Sequence, residues 1–169
     1  MEEGLQALAG KLGEALVGRN WLLGCAESCT GGLLSSILTD APGASSWFAG
    51  AVVAYANAVK RDVLGVPQDV LDTKGAVSRE AVLAMARGAH GVLRADVAVA
   101  ISGVAGPGGG TPQKPVGTVW LAWHGPDGVA VKRFQFDGDR LAVKRQAVRQ
   151  AMTGVLSMAR GAKPEASHE

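Results

Sequence analysis

Net charge is nearly absent from this sequence. Seventeen basic and fifteen acidic residues leave +2 over 169 residues, and no basic run is interleaved with aromatics. That balance gives no electrostatic footprint for a nucleic acid, so none is expected as a partner. Long apolar runs are missing too. The longest, around Trp47 to Tyr55, falls far short of the about 20 residues that span a bilayer, so no membrane partner is expected. A basic leader is absent: MEEGLQALAGKLGEAL is amphipathic and opens with two acids, the reverse of a secretory n-region, so a cytoplasmic location is expected. Cysteine is scarce. Cys25 and Cys29 stand four apart, and a cytosolic setting argues against a disulfide between them. His90, His124 and His168 share no metal-ligand spacing with the cysteines or acids, so no metal is expected.

What is present is a globular composition, 47% apolar and 19% charged, in a length that suits one domain. Residues 1–161 are expected to form that domain and 162–169 a frayed tail. Glycine is abundant. The 24 glycines cluster at 31–32 and 103–110, and such clusters mark backbone that turns tightly or is approached closely.

Leu5, Leu8, Leu12 and Leu16 recur at helical spacing and predict a helix over about 3–18. The run 21–26 predicts a buried strand, 33–38 a helix ended by Pro42-Gly43, and 49–55 a second strand. Helices follow at 57–64, 67–73 and 78–94, the last with Ser78 as N-cap. Residues 95–101 predict a strand, and 102–115 a long glycine- and proline-rich loop of the kind that is usually functional or mobile. Strands at 116–123 and 129–136 flank Gly125-Pro126-Asp127-Gly128 as a hairpin, and Asp139 caps a helix over about 140–160. Early βαβ alternation followed by a late hairpin predicts an α/β three-layer sandwich with a mixed sheet flanked by helices.

Four segments can carry chemistry. Glu27-Ser28-Cys29-Thr30-Gly31-Gly32 joins a strand to a helix. A serine there can attack a carbonyl while helix-terminal amides hold the oxyanion; the plain alternative is a helix capped by Ser28 or Thr30. Tyr55 to Lys60 leaves a strand for a helix. Lys60 can act as a base if burial lowers its pKa toward neutrality; otherwise it is a solvated helix lysine and Tyr55 a core aromatic. Ser102 to Gly110 follows a strand directly, where α/β sheets bind ligands, and is otherwise a flexible surface loop. It is no P-loop, since no Gly-Lys-Ser/Thr ends it. Gly138-Asp139-Arg140 opens the last helix. Arg140 can pair with a phosphate, while Lys144, Arg145 and Arg149 read as a solvated face. Cys29 is the rival nucleophile to Ser28, but a small buried thiol is the commoner case.

Taken together, AESCTGG (26–32), AVVAYANAVK (51–60), GAVS (75–78), SGVAGPGGG (102–110), KPVGTVW (114–120) and GDR (138–140) resemble the CinA C-terminal domain family, the nicotinamide-nucleotide amidases. The blocks run in the family's order over about 115 residues, and the chain resembles the stand-alone form rather than the one fused behind a molybdopterin-binding-like domain. The resemblance implies hydrolysis of nicotinamide mononucleotide to nicotinate mononucleotide and ammonia, with no cofactor. It implies Ser28 as nucleophile activated by Lys60 and Tyr55. Thr30, Gly31, Gly32, Asn57, Ser102, Gly103, Gly106 and Arg140 are the implied substrate-binding positions. Gly108, Ala56 and Ala58 depart from the family's commoner residues and bear on substrate contacts and loop order. A pyridine mononucleotide is thus the expected small-molecule partner, and a homo-oligomer, a dimer first, could bury some of Trp21, Trp47, Phe48, Trp120 and Trp123. Two rivals stand beside the amidase: a non-catalytic nucleotide-sensing or scaffold domain linked to competence or DNA damage, and an amidase or esterase with another substrate.

Overall fold

The computed structural model describes residues 2–164. Five strands form one sheet: β1 (Leu23–Glu27), β2 (Phe48–Val53), β3 (Val97–Gly103), β4 (Thr118–Gly125) and β5 (Gly128–Gln135), in the order β2-β1-β3-β4-β5. β1 runs parallel to both β2 and β3, whereas β4 is antiparallel to β3 and to β5. The sheet is therefore mixed. Among the described residues six α-helices accompany it: α1 (Glu2–Arg19), α2 (Leu33–Thr39), α3 (Asn57–Asp62), α4 (Gln68–Thr73), α5 (Arg79–Val92) and α6 (Arg140–Ala159). The α1, α2 and α6 helices pack with one another on one face, and α5, with α4 against it, covers the other.

The two faces are chemically different, as period-2 alternation requires. Leu23, Cys25, Val97, Val99, Ile101, Leu121 and Trp123 belong to the core under α1 and α6. Ala26, Ala98, Ala100 and Ala122 face Ala81, Met85, Ala86 and Ala89 of α5, so small side chains on both sides let that helix sit close to the sheet. Helix starts follow the expected caps. Ser78 accepts from the Ala81 N–H at 3.1 Å and Asp139 from the Ala142 N–H at 2.8 Å, each satisfying one of the unpaired amides of a first turn.

Strand boundaries differ from expectation by about two residues, and pairing explains it. β4 begins at Thr118 rather than 116 because Gly117 has φ +92°, a left-handed conformation that interrupts extended backbone. A side chain at Gly117 would also collide with the Phe136 carbonyl. β2 ends at Val53, after which the Ala54 N–H reaches across to the Glu27 carbonyl at 2.8 Å. A 3-10 turn at Ala44–Ser46 went unforeseen. Trp47 and Trp123 are buried within the chain itself, the latter donating to the Ala151 carbonyl at 3.0 Å. Of the expected tail, 162–164 are placed, with Pro164 buried and the Ala162 N–H donating to Ser157 O, while 165–169 lie outside the described residues. No described helix is long and apolar enough to cross a membrane.

Candidate active site

The carboxyl ends of β1 and β3 lie side by side, Glu27 opposite Ile101, and the candidate residues gather there. Glu27 is fully buried at the end of β1. One of its oxygens accepts from the Ser35 N–H and Ser35 hydroxyl, both at 2.8 Å, and the other from the Gly32 and Leu34 N–H groups, both at 3.1 Å. A carboxylate thus occupies the start of α2, where unpaired amides and the helix dipole favour negative charge. This corrects two expectations. Neither Ser28 nor Thr30 caps the helix, and the Gly32 amide is engaged internally instead of facing a ligand. The Gly31 amide is also spoken for, donating to Ser28 O at 3.1 Å. The Cys29 and Thr30 amides are the ones in this turn without a bond to another residue among the described residues.

Ser28, at 9% exposure, follows Glu27 directly and opens onto a cleft of about 260 Å³. Its hydroxyl makes no hydrogen bond within the described residues. The cleft is lined also by Cys29, Tyr55, Gly103, Ala105, Gly106 and Arg140. Larger surface crevices lie elsewhere, such as one of about 310 Å³ against α6 lined by Leu5, Leu141 and Arg145, and hold none of the expected catalytic groups.

Lys60 is 1% exposed, one of the largest fully buried side chains. It is therefore no solvated helix lysine. Its amine donates to the Ala54 carbonyl at 2.8 Å and the Tyr55 carbonyl at 3.1 Å. Burial lowers its pKa from the usual 10.5, against a smaller upward pull from the Cys29 sulfur. In the neutral form those two carbonyls take both N–H bonds and leave the nitrogen lone pair free. Cys29 itself is pushed up to about 11, chiefly by burial, with its own amide lowering it, Glu27 raising it, and Lys144 and Lys60 lowering it. A thiol in that state is a poor nucleophile at neutral pH.

Tyr55 is not a core aromatic, being 61% exposed. Arg140, at the start of α6, donates to the Tyr55 hydroxyl at 2.8 Å and to the Gly106 carbonyl at 2.6 Å, bridging the chain after β2 to the glycine loop after β3. Of the expected site residues, Ser28, Tyr55, Gly103, Gly106 and Arg140 meet at the cleft. Lys60 does not line it, and no hydrogen bond joins its amine to Ser28 among the described residues. Asn57 is exposed at the start of α3 and does not line the cleft. Thr30 is fully buried with no partner for its hydroxyl among the described residues. Ser102 is buried and donates to the Ala76 carbonyl at 2.7 Å. Sequence reasoning missed Glu27, whose only signal was an acid ending an apolar strand, and it assigned Lys144 to a solvated face. No group of three or more His, Cys, Asp or Glu suited to a metal occurs among the described residues.

Comparison with known proteins is consistent across sequence and structure. The model of the CinA C-terminal domain family matches residues 5–159. The nicotinamide-nucleotide amidohydrolase PncC of Pseudomonas putida is 51% identical over 154 residues, covering 91% of this chain and 96% of that protein. The protein of the same name from Escherichia coli K12 is 46% identical over 149 residues, covering 88% and 90%. A competence-damaged protein (CinA) superfamily crystal structure from Klebsiella pneumoniae superposes with a TM-score of 0.89 at 38% identity, covering 93% of this chain and 98% of that one.

Proposed function

The chain belongs to the CinA C-terminal domain family, and from that premise we propose that it hydrolyses the carboxamide of nicotinamide mononucleotide to the carboxylate and ammonia. The names of the two amidohydrolases, which it matches over nine-tenths of their length, support the reaction class and substrate. The observation that carries the reading is a serine hydroxyl that opens onto a cleft with no partner among the described residues, in a chain whose Lys60 is buried with its pKa lowered.

In this reading Ser28 Oγ attacks the carboxamide carbon as Lys60 Nζ takes the hydroxyl proton. The oxyanion falls to the Cys29 and Thr30 amides, which make no hydrogen bond to another residue among the described residues. Collapse of the tetrahedral species breaks the C–N bond. The proton held by Lys60, or one passed through Tyr55, goes to the departing nitrogen, and ammonia leaves. Water then adds to the nicotinyl ester with Lys60 again as base, regenerating the serine and releasing the acid. Arg140 holds Tyr55 and the glycine loop at fixed positions around the cleft.

Ammonia release by the purified protein from the mononucleotide, from free nicotinamide and from unrelated amides tests the proposal. The mononucleotide should be preferred, and Ser28→Ala should lose about 1,000-fold or more in kcat with an unchanged melting temperature. Absence of ammonia release would leave a binding domain, and retention of most activity by Ser28→Ala would remove the serine from the mechanism.

A further inference from the structure

Beside the turn that carries Ser28 lies an amine that the reaction above does not use, that of Lys144. Lys144 lies one helical turn beyond Arg140 on α6, so both cations share a face. It is half-buried. A methyl group at Gly31 would stand 3.9 Å from its Nζ, and its charge is felt by the Cys29 sulfur in the cleft wall. No hydrogen-bond or ion-pair partner of this ammonium occurs among the described residues. Arg140, by contrast, already spends two nitrogens on Gly106 and Tyr55.

Cations at this place run against local electrostatics. The first turn of α6 contains no acid after the Asp139 cap, and Arg140, Lys144 and Arg145 fall within its first six residues. Helix N-termini favour negative side chains, so positive charge there raises the local potential at some cost to the helix. The Glu27 carboxylate meanwhile fills the start of α2, which bars a ligand anion from that helix end. Lys144 does not itself line the cleft; it is the α6 ammonium beside Gly31, next to the cleft wall at Cys29, with no partner among the described residues.

We propose that Lys144 binds the phosphate of the mononucleotide substrate and so sets the preference for the phosphorylated over the unphosphorylated nucleoside. This rests on the amidase reading above. With the phosphate held at α6, the amide end of the substrate extends toward Ser28, and Arg140 remains free to brace the cleft.

The test compares nicotinamide mononucleotide with nicotinamide riboside, which carries the same amide and no phosphate, using wild type, Lys144→Met and Lys144→Arg. For Lys144→Met the KM for the mononucleotide should rise about tenfold with kcat within about twofold, as expected for loss of a charge-assisted contact present in ground and transition states alike. Its kcat/KM for the riboside should match wild type, and Lys144→Arg should recover most of the mononucleotide KM. An equal loss for both substrates, or an unchanged mononucleotide KM, would overturn the assignment. Calorimetric titration with the mononucleotide and with the riboside separates this from the reaction itself. If wild type binds the mononucleotide but releases no ammonia, the amidase reading fails, while weaker mononucleotide binding by Lys144→Met still upholds the phosphate contact and equal binding still removes it.

Discussion

At the scale of single residues, the proposed chemistry turns on a lysine that the fold removes from water. Lys60 is 1% exposed, and burial moves its pKa below 10.5, because a cation without its hydration shell is disfavoured. The base must be neutral to accept the serine proton, so activity is lost as pH falls through the lysine's own pKa. We expect kcat/KM to rise with pH and level off below pH 10.5. Lys60→Arg should be about 100- to 10,000-fold slower at every pH, since a guanidinium does not deprotonate in this range. Its residual rate should lose the acid limb. If the limb persists unchanged in Lys60→Arg, another group governs it.

Within the elements, the turn after β1 is built by a side chain rather than by its backbone alone. Glu27 accepts four hydrogen bonds from residues five to eight positions ahead of it, fixing the 28–32 turn against the start of α2. Glu27→Ala should destabilise the chain by about 3 kcal/mol, because three amides and a hydroxyl are left in a buried place without their acceptor. Urea unfolding measures this, and a loss below about 1 kcal/mol would mean that water replaces the carboxylate. The role was illegible from sequence for a physical reason. Periodicity reports which face of an element is apolar, and capping rules look one to three residues ahead, so a strand-end acid that reaches across a turn leaves no local pattern. Ser78 and Asp139, which cap their own helices at the standard offset, were legible for the converse reason. The family resemblance likewise implies one site for Ser28, Tyr55, Gly106 and Arg140, which line a single cleft. What it could not tell was that Thr30 and Ser102 turn inward, since a hydroxyl reads alike in a core and in a cleft.

Across the whole molecule, function and acid sensitivity sit at opposite ends of the sheet. The site gathers where β1 and β3 end, whereas His124 pairs with Ala98 near the start of β3. There its ring meets that of His90 from the last turn of α5 at 4.3 Å between centroids, tilted by 52°. Its Nδ1 is buried with no partner among the described residues. Burial, then His90, then Arg87, lower the His124 pKa from 6.5, so the folded state resists a proton that the unfolded chain accepts. Between the folded value and 6.5 the unfolded chain therefore holds more protons, and stability rises with pH. The contribution is intact above pH 6.5 and is lost as pH falls through the folded pKa. Melting temperature should thus drop between pH 7 and pH 5, and His124→Gln should flatten that slope. The substitution should leave kcat for the mononucleotide unchanged at pH 8, because it touches nothing at the cleft. An equally steep decline in His124→Gln would remove this ring as the source of the acid sensitivity.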